Sequence, residues 1–289
     1  MKILLTGVTG YIGNAVMEHF ACKANEIHCL VRRDVEPAHD VINYHVLKGD
    51  NLREILSAVK PDVVVHIASL FLAAHSFDDI DNLINSNITF PTKLLEAKAE
   101  AGVTRFINTG TSWQNYESKA YSPVNLYSAT KQAFDDIVKY YVEARDFSCL
   151  TLKIFDSYGP GDTRGKLVAL LDRLAVTQEQ LDMSPGEQEI DLIHISDICE
   201  AYAIALDMIA KNDGQLYAEY GLYSDKSYSL KELARVYEKA NDCKLNINWG
   251  GREYRSREVM KPANNLIRLP GWEPKVDLAK GLNRVARNK

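Results

Sequence analysis

The chain has 289 residues, enough for one large α/β domain or for a main domain with a smaller partner. Apolar residues make up 46% and charged residues 25%, an ordinary globular balance, and a net charge of −5 without a basic block argues against nucleic acid as a partner. The 5 cysteines are scattered without a CxxC, the histidines are dispersed and no apolar run is long enough to span a membrane, so a reduced, cytoplasmic protein without a metal site is expected.

Short apolar runs alternate with longer periodic segments through the first half. KILLT (2–6), EIHCLV (26–31), YHVLK (44–48), DVVVHIA (62–68), TRFINT (104–109) and SCLTLKIF (148–155) read as strands. Most are nearly continuous in Val, Ile and Leu, as parallel strands buried on both faces should be. Helices are expected at 11–24, 51–59, 79–101 and 124–144. This alternation predicts a doubly wound parallel sheet, a Rossmann-type α/β fold with its binding edge at the strands' carboxyl ends. NIT at Asn87 matches the glycosylation acceptor pattern, which carries no meaning in a cytoplasmic chain.

Beyond residue 156 the pattern loosens. LIHISDICEAYAIALDMI (192–209) reads as a strand end and an amphipathic helix belonging to the same sheet. Segments rich in Gly, Pro, Tyr and charge are read as a smaller α/β lobe built from interrupted pieces. The expected division is 1–156 with 187–212 as the dinucleotide domain, and 157–186 with 213–289 as the substrate lobe.

LLTGVTGYIGNAV places Gly7, Gly10 and Gly13 where the first strand gives way to a helix. Glycine there permits a tight turn and close approach of a pyrophosphate to the free N–H groups of the helix. At the end of the second strand a carboxylate would take a ribose 2′-OH, but LVRRD presents Arg32 and Arg33. A guanidinium pair suits a 2′-phosphate, so NADPH is favoured over NADH, against a solvated basic turn with Asp34 supplying the acid late. Asp50 and Asn51, after the third strand, are candidate contacts to the adenine edge.

Tyr127 and Lys131 lie four apart in NLYSATKQAF and share one helix face. An ammonium near a phenol lowers its pKa toward the range useful for proton transfer. Thr111, leaving the fifth strand in FINTGTSWQNY, should project into the same cleft. Glycine turn, Thr111 and Tyr127–Lys131 in this order make a catalytic reading. His66 is expected to be a satisfied, partly buried histidine rather than a base.

On TGVTGYIG, HIAS, YSATK, YGPGD, GEQEIDLIHISDICEAY and GWEPKVDLAKGL, the chain resembles the extended short-chain dehydrogenase/reductase family in its NAD-dependent epimerase/dehydratase branch. The resemblance implies that Tyr127 exchanges the proton, Lys131 also holds the nicotinamide ribose, Thr111 orients the substrate carbonyl, and the second half binds a nucleotide sugar. It further implies cofactor contacts at Thr9, Tyr11, Ile12, Ala68, Ser69, Thr109 and Phe155. Substrate contacts are implied at Leu70, Ser112, Trp113, Asp156, Lys166, Leu167 and Arg255, and a homodimer is common in the family. Dehydratases of the branch carry Asp-Glu directly after the catalytic Thr, where this chain has Ser112 and Trp113, so dehydration is disfavoured. A 4-epimerase with retained NAD needs only the Tyr and Lys and stays open. The basic pair at 32–33 tips the reading to an NADPH-dependent ketoreductase, similar to nucleotide-sugar 4-ketoreductases that act on CDP-linked deoxyhexuloses. One departure is Ile190, where the branch commonly places an Arg before the Asp of its RDFIHV motif. That removes an expected phosphate contact and leaves the nucleotide open.

Overall fold

Runs that carry apolar side chains at every position need cover on both faces, and the sheet they form here has it. A computed structural model describes residues 1–23, 26–35, 40–212 and 214–283. In it β1 (Lys2–Thr6), α1 (Tyr11–Ala21), β2 (Glu26–Val31), β3 (Ile42–Val46), α2 (Leu52–Val59) and β4 (Val63–His66) follow in turn. One helical stretch then passes from α3 (Ile80–Ile84) through a π-helical turn (Asn85–Thr89) into α4 (Phe90–Glu100). β5 (Arg105–Thr111), α5 (Leu126–Arg145) and β6 (Ser148–Ile154) complete the alternation.

The remaining elements are β7 (Asp156–Tyr158), α6 (Leu167–Thr177), β8 (Leu181–Met183), β9 (Glu189–Ile190), β10 (Leu192–His194) and α7 (Ile195–Ala210). After them come β11 (Leu216–Leu222), β12 (Tyr228–Ser229), α8 (Leu230–Asn241), β13 (Ile247–Trp249) and α9 (Leu278–Leu282).

The central sheet has seven strands in the order β3-β2-β1-β4-β5-β6-β11, every neighbour parallel. Alternate residues of β1 enter opposite cores. Ile3 and Leu5 pack with Val16 and Phe20 of α1 and Ile198 and Tyr202 of α7. Leu4 packs with Leu56 of α2, Leu94 of α4 and Phe134 and Val138 of α5. Strand order reverses beside β1, which opens a crevice at the carboxyl ends of β1 and β4. A separate small core of Tyr158, Leu171, Leu233, Tyr237 and Leu282 joins discontinuous segments into the second lobe.

Three expectations shift. The third strand starts at Ile42, two residues before the expected 44. The strand at 192–194 pairs with β7 outside the main sheet, although α7 packs on that sheet as expected. Residues 216–222, expected in the smaller lobe, form the seventh strand of the main sheet. LYAEYGL hid this because it is an edge strand, and its Glu219 satisfies the buried Lys153 of β6 at 2.6 Å. Among the described residues, no helix is long and apolar enough to cross a membrane.

Lys98 of α4 is fully buried, with Nζ 3.1 Å from the centroid of Phe147 and no hydrogen-bond partner. Burial holds its pKa well below the ordinary lysine value, while Cys149 nearby acts in the opposite direction. The unfolded chain therefore binds more protons than the fold, and this amine destabilises the fold increasingly as pH falls below its unfolded value of about 10.4. Lys98→Met conserves shape, so it should raise the melting temperature at neutral pH, with a gain that grows as pH falls. Calorimetry across a pH series checks this; an equal gain at every pH would count against it.

Candidate active site

The glycine turn between β1 and α1 is sterically closed to larger residues. Gly7 has φ +80°, and a Cβ there would meet Ala68 N at 2.5 Å. A Cβ on Gly13 would meet the Gly7 carbonyl oxygen at 2.1 Å. The Thr6 hydroxyl accepts from Ile67 N (3.2 Å) and Ala68 N (3.1 Å) and bonds His66 Nδ1 at 2.8 Å. This fastens β1 to β4 beneath the turn. His66 is buried among Phe90, Phe106 and Phe134, and its pKa is held well below the usual value by burial and then by Lys131. It is the satisfied core histidine that was expected.

Gly10 caps α1 without a side-chain bond, and the first turn holds no acidic residue. The free N–H groups and the cradle that a Cβ would fill fit a pyrophosphate. Thr9, Tyr11 and Ile12 complete the turn, and the Arg164 guanidinium lies 4.3 Å from the Tyr11 ring centroid. Arg32 and Arg33 are exposed just beyond β2. Asp50 is exposed and pairs with Lys93 at 3.6 Å. Asn51 uses its amide on its own turn, bonding Lys48 N and the Val46 carbonyl, each at 3.0 Å. Thr109 is likewise engaged, with its hydroxyl 2.7 Å from the His66 carbonyl and 2.6 Å from the Tyr202 hydroxyl.

The helix that carries Tyr127 and Lys131 is aimed by its cap. Asn125 Oδ1 accepts from Ser128 N at 3.0 Å, and its Nδ2 donates to the carbonyls of Leu72 and Ala73 at 3.2 and 3.0 Å. The first turn of α5 is thereby tied to the wall of the cleft. Tyr127, partly buried, meets the Phe71 ring edge-on at 5.0 Å and hydrogen-bonds Ser69. Thr111, at the end of β5, is buried and its hydroxyl accepts from Trp113 N at 3.4 Å. Lys131 is 2% exposed, one turn along the helix from Tyr127.

The protonation states differ from expectation. Burial pushes Tyr127 up to about 12, opposed by its Ser69 hydrogen bond, raised further by Asp156 and lowered by Arg164. Lys131 has its own pKa lowered to about 8 by burial, with Asp135 holding it up. Desolvation outweighs the charge one turn away. At neutral pH Tyr127 is thus a protonated phenol, fit to give a proton.

A cleft of about 400 Å³ opens beside this group. Phe71, Ser112, Trp113 and Phe155 line its inner end, and Trp113 meets Phe71 at 5.7 Å. Asp156 and Lys166 face it as an ion pair at 3.6 Å, with Leu167 beside them. Arg255 lines the far wall, joined by Arg252, Arg257 and Lys261, which sequence reasoning missed. Among the described residues, Arg252, Arg255 and Lys261 carry no salt bridge. The lining also holds Glu117, Glu189 and Glu258, and the cations without a salt bridge are the ones suited to phosphates. Ile190 also lines the cleft and contributes no charge, whereas Asp191 turns to accept Ser224 N at 2.9 Å.

Asn87 was missed as well. It is 1% exposed inside the π-helical turn, so its NIT motif cannot take a glycan. Its Oδ1 accepts from Leu70 N (2.8 Å) and the Ser69 hydroxyl (3.1 Å), and its Nδ2 donates to Thr130 Oγ1 at 3.0 Å. It clamps the loop carrying Ala68, Ser69 and Leu70 against α5. A π turn inside a helix often marks a functional site, and this one is visible only in the fold.

Residues 3–218 match the model of the NAD dependent epimerase/dehydratase family. The chain is similar to CDP-abequose synthase of Yersinia pseudotuberculosis, with 29% identity over 91% of this chain and 92% of that one. It is also similar to UDP-glucose 4-epimerase of Rhizobium meliloti, with 25% identity over 96% and 94% of the two chains. In three dimensions it matches MoeE5, solved in complex with UDP-glucuronic acid and NAD, with a TM-score of 0.84 at 21% identity over 100% and 97% of the chains. With its glycine turn, seven-stranded parallel sheet and Thr111–Tyr127–Lys131 grouping, this chain belongs to the NAD dependent epimerase/dehydratase family.

Proposed function

We propose that the protein is an NADPH-dependent 4-ketoreductase acting on a nucleotide-linked 4-keto-6-deoxy or 3,6-dideoxy hexose, CDP- or dTDP-linked. The observation that carries this reading is Tyr127, held as a neutral phenol against Phe71, which lines a cleft that also presents Arg252, Arg255 and Lys261. Likeness to CDP-abequose synthase supports the substrate class, and exposed Arg32 and Arg33 support the 2′-phosphorylated cofactor. The sheet domain takes the dinucleotide, and the smaller lobe takes the nucleotide. Arg252, Arg255 and Lys261 receive the diphosphate, and the sugar reaches inward past Trp113.

Bound NADPH supplies the hydride that reduces the carbonyl carbon. Thr111 hydrogen-bonds the carbonyl oxygen, and Tyr127 gives its proton to that oxygen as negative charge develops on it. The Lys131 ammonium stabilises the phenolate left behind and holds the nicotinamide ribose. Water resupplies the proton to Tyr127 through the open cleft.

The test is NADPH oxidation against 4-keto sugars generated in situ from CDP-, dTDP-, UDP- and GDP-hexoses. Turnover with a CDP- or dTDP-linked ketone is expected, and its absence with every ketone would remove the proposal. Likeness to UDP-glucose 4-epimerase favours a second reading, a 4-epimerase with retained NAD. Extraction of NAD from the purified protein, with no NADPH consumption, would establish that reading instead. Association as a homodimer in the manner of the family is proposed, with Tyr140 of α5, 59% exposed, available to a partner surface.

A further inference from the structure

Behind the cleft, buried side chains connect Thr111 to α5 one turn beyond Lys131. Asp135 follows Lys131 by one turn on α5 and is 1% exposed. Its oxygens accept from Gln114 Nε2 at 2.6 Å and Asn108 Nδ2 at 2.7 Å. Gln114 is itself fully buried, and its Oε1 accepts the Thr111 N–H at 2.9 Å. The backbone carrying the catalytic hydroxyl is therefore held by a side chain that Asp135 holds in turn.

Charges around the carboxylate come from three strands and its own helix. Lys131 faces it from α5, Lys153 and Cys149 from β6, and Glu219 and Tyr217 from β11, while His66 of β4 faces Lys131. Burial holds His66 neutral and keeps the Cys149 thiol and the Tyr217 phenol protonated. Two cations and two anions remain. Lys153 is taken by Glu219 at 2.6 Å, while Lys131 and Asp135, one helical turn apart, form no direct ion pair. A helix brings i and i+4 side chains to neighbouring positions, so the two buried charges act on each other through space along the Tyr127–Lys131–Asp135 stripe.

We propose that Asp135 is the positioning residue of this site, keeping Lys131 in its ammonium form and, through Gln114, holding Thr111 in place. The proposal rests on the reading that Thr111 and Lys131 serve the reaction. Burial raises Asp135 to about 6, and Lys131 stands at about 8, so both are charged only between those values. Below that window Asp135 takes up a proton; above it Lys131 loses one.

Asp135→Asn removes the charge and keeps the shape. Asn108 Oδ1 is buried without a partner, so its amide can turn over and accept from the new side-chain amide. In lysine-labelled protein without substrate, with the Lys131 signal assigned by its loss in Lys131→Arg, NMR titration should show the Lys131 midpoint falling by roughly 1–3 pH units. Asp135→Glu should return it toward the wild-type value. An unmoved midpoint in Asp135→Asn would overturn the proposal. The wild-type protein gives a reading that needs no variant: the Lys131 signal should show a second inflection near pH 6 as Asp135 protonates, and its absence would also overturn it. Gln114→Leu should lower kcat, and unchanged kcat would remove the arm that reaches Thr111. The titrations involve no keto sugar, so failure of the reductase assignment and failure of this coupling are seen separately.

Discussion

Tyr127→Phe should lower kcat by about 10²–10⁴ while leaving NADPH affinity unchanged, because it deletes one proton and little contact surface. The phenol is pushed up to about 12 by burial, so the wild-type enzyme should not lose activity through Tyr127 ionisation anywhere in the neutral range. The group that sets the alkaline limit is Lys131, lowered to about 8. Its ammonium is present below that value and lost above it, so kcat should fall as pH rises through about 8. A steady-state pH profile with parallel binding titrations measures both effects. Undiminished turnover in Tyr127→Phe would displace it as the proton donor, and a kcat still rising above pH 9 would displace Lys131 as the cationic partner.

The second large effect concerns cofactor choice. Arg32 and Arg33 are exposed at the end of β2, where the proposed reading puts the adenosine ribose of NADPH. A charged hydrogen bond to phosphate contributes about 1.5–3 kcal/mol, so the double change to Ala should weaken NADPH by roughly 10²-fold or more. NADH lacks the 2′-phosphate and should bind the variant as it binds the parent. Calorimetric titration of both dinucleotides against both proteins checks the difference. Equal losses for the two cofactors would place the arginines elsewhere in recognition and revive the retained-NAD epimerase.

Much of the site was readable because its signals are local. A glycine at positive φ, an apolar strand before it and a helix after it lie within a dozen residues, and the Tyr127–Lys131 spacing follows from helical geometry alone. Other members were unreadable for lack of periodicity. Arg252, Arg257 and Lys261 stand in a stretch without regular structure, and nothing in GREYRSREVMK says which cations turn toward the cleft. Asn87 was obscured by a modification motif, and its clamp on Ser69 and Leu70 spans 18 and 17 residues of chain. Lys166, expected to meet substrate, does line the cleft but reaches it already paired with Asp156.

Sequence order by itself determined the doubly wound sheet and the glycine turn and singled out Thr111, Tyr127 and Lys131 as candidates, since each depends on neighbours a few residues away. Tertiary structure alone decided the proton inventory, the seventh strand and the relay through Gln114 and Asp135. Desolvation is set by everything that packs around a group, and here it reversed the shift that helical spacing implied for Tyr127. A pattern along the chain records which groups can meet; how dry the place is where they meet is a property of the assembled core.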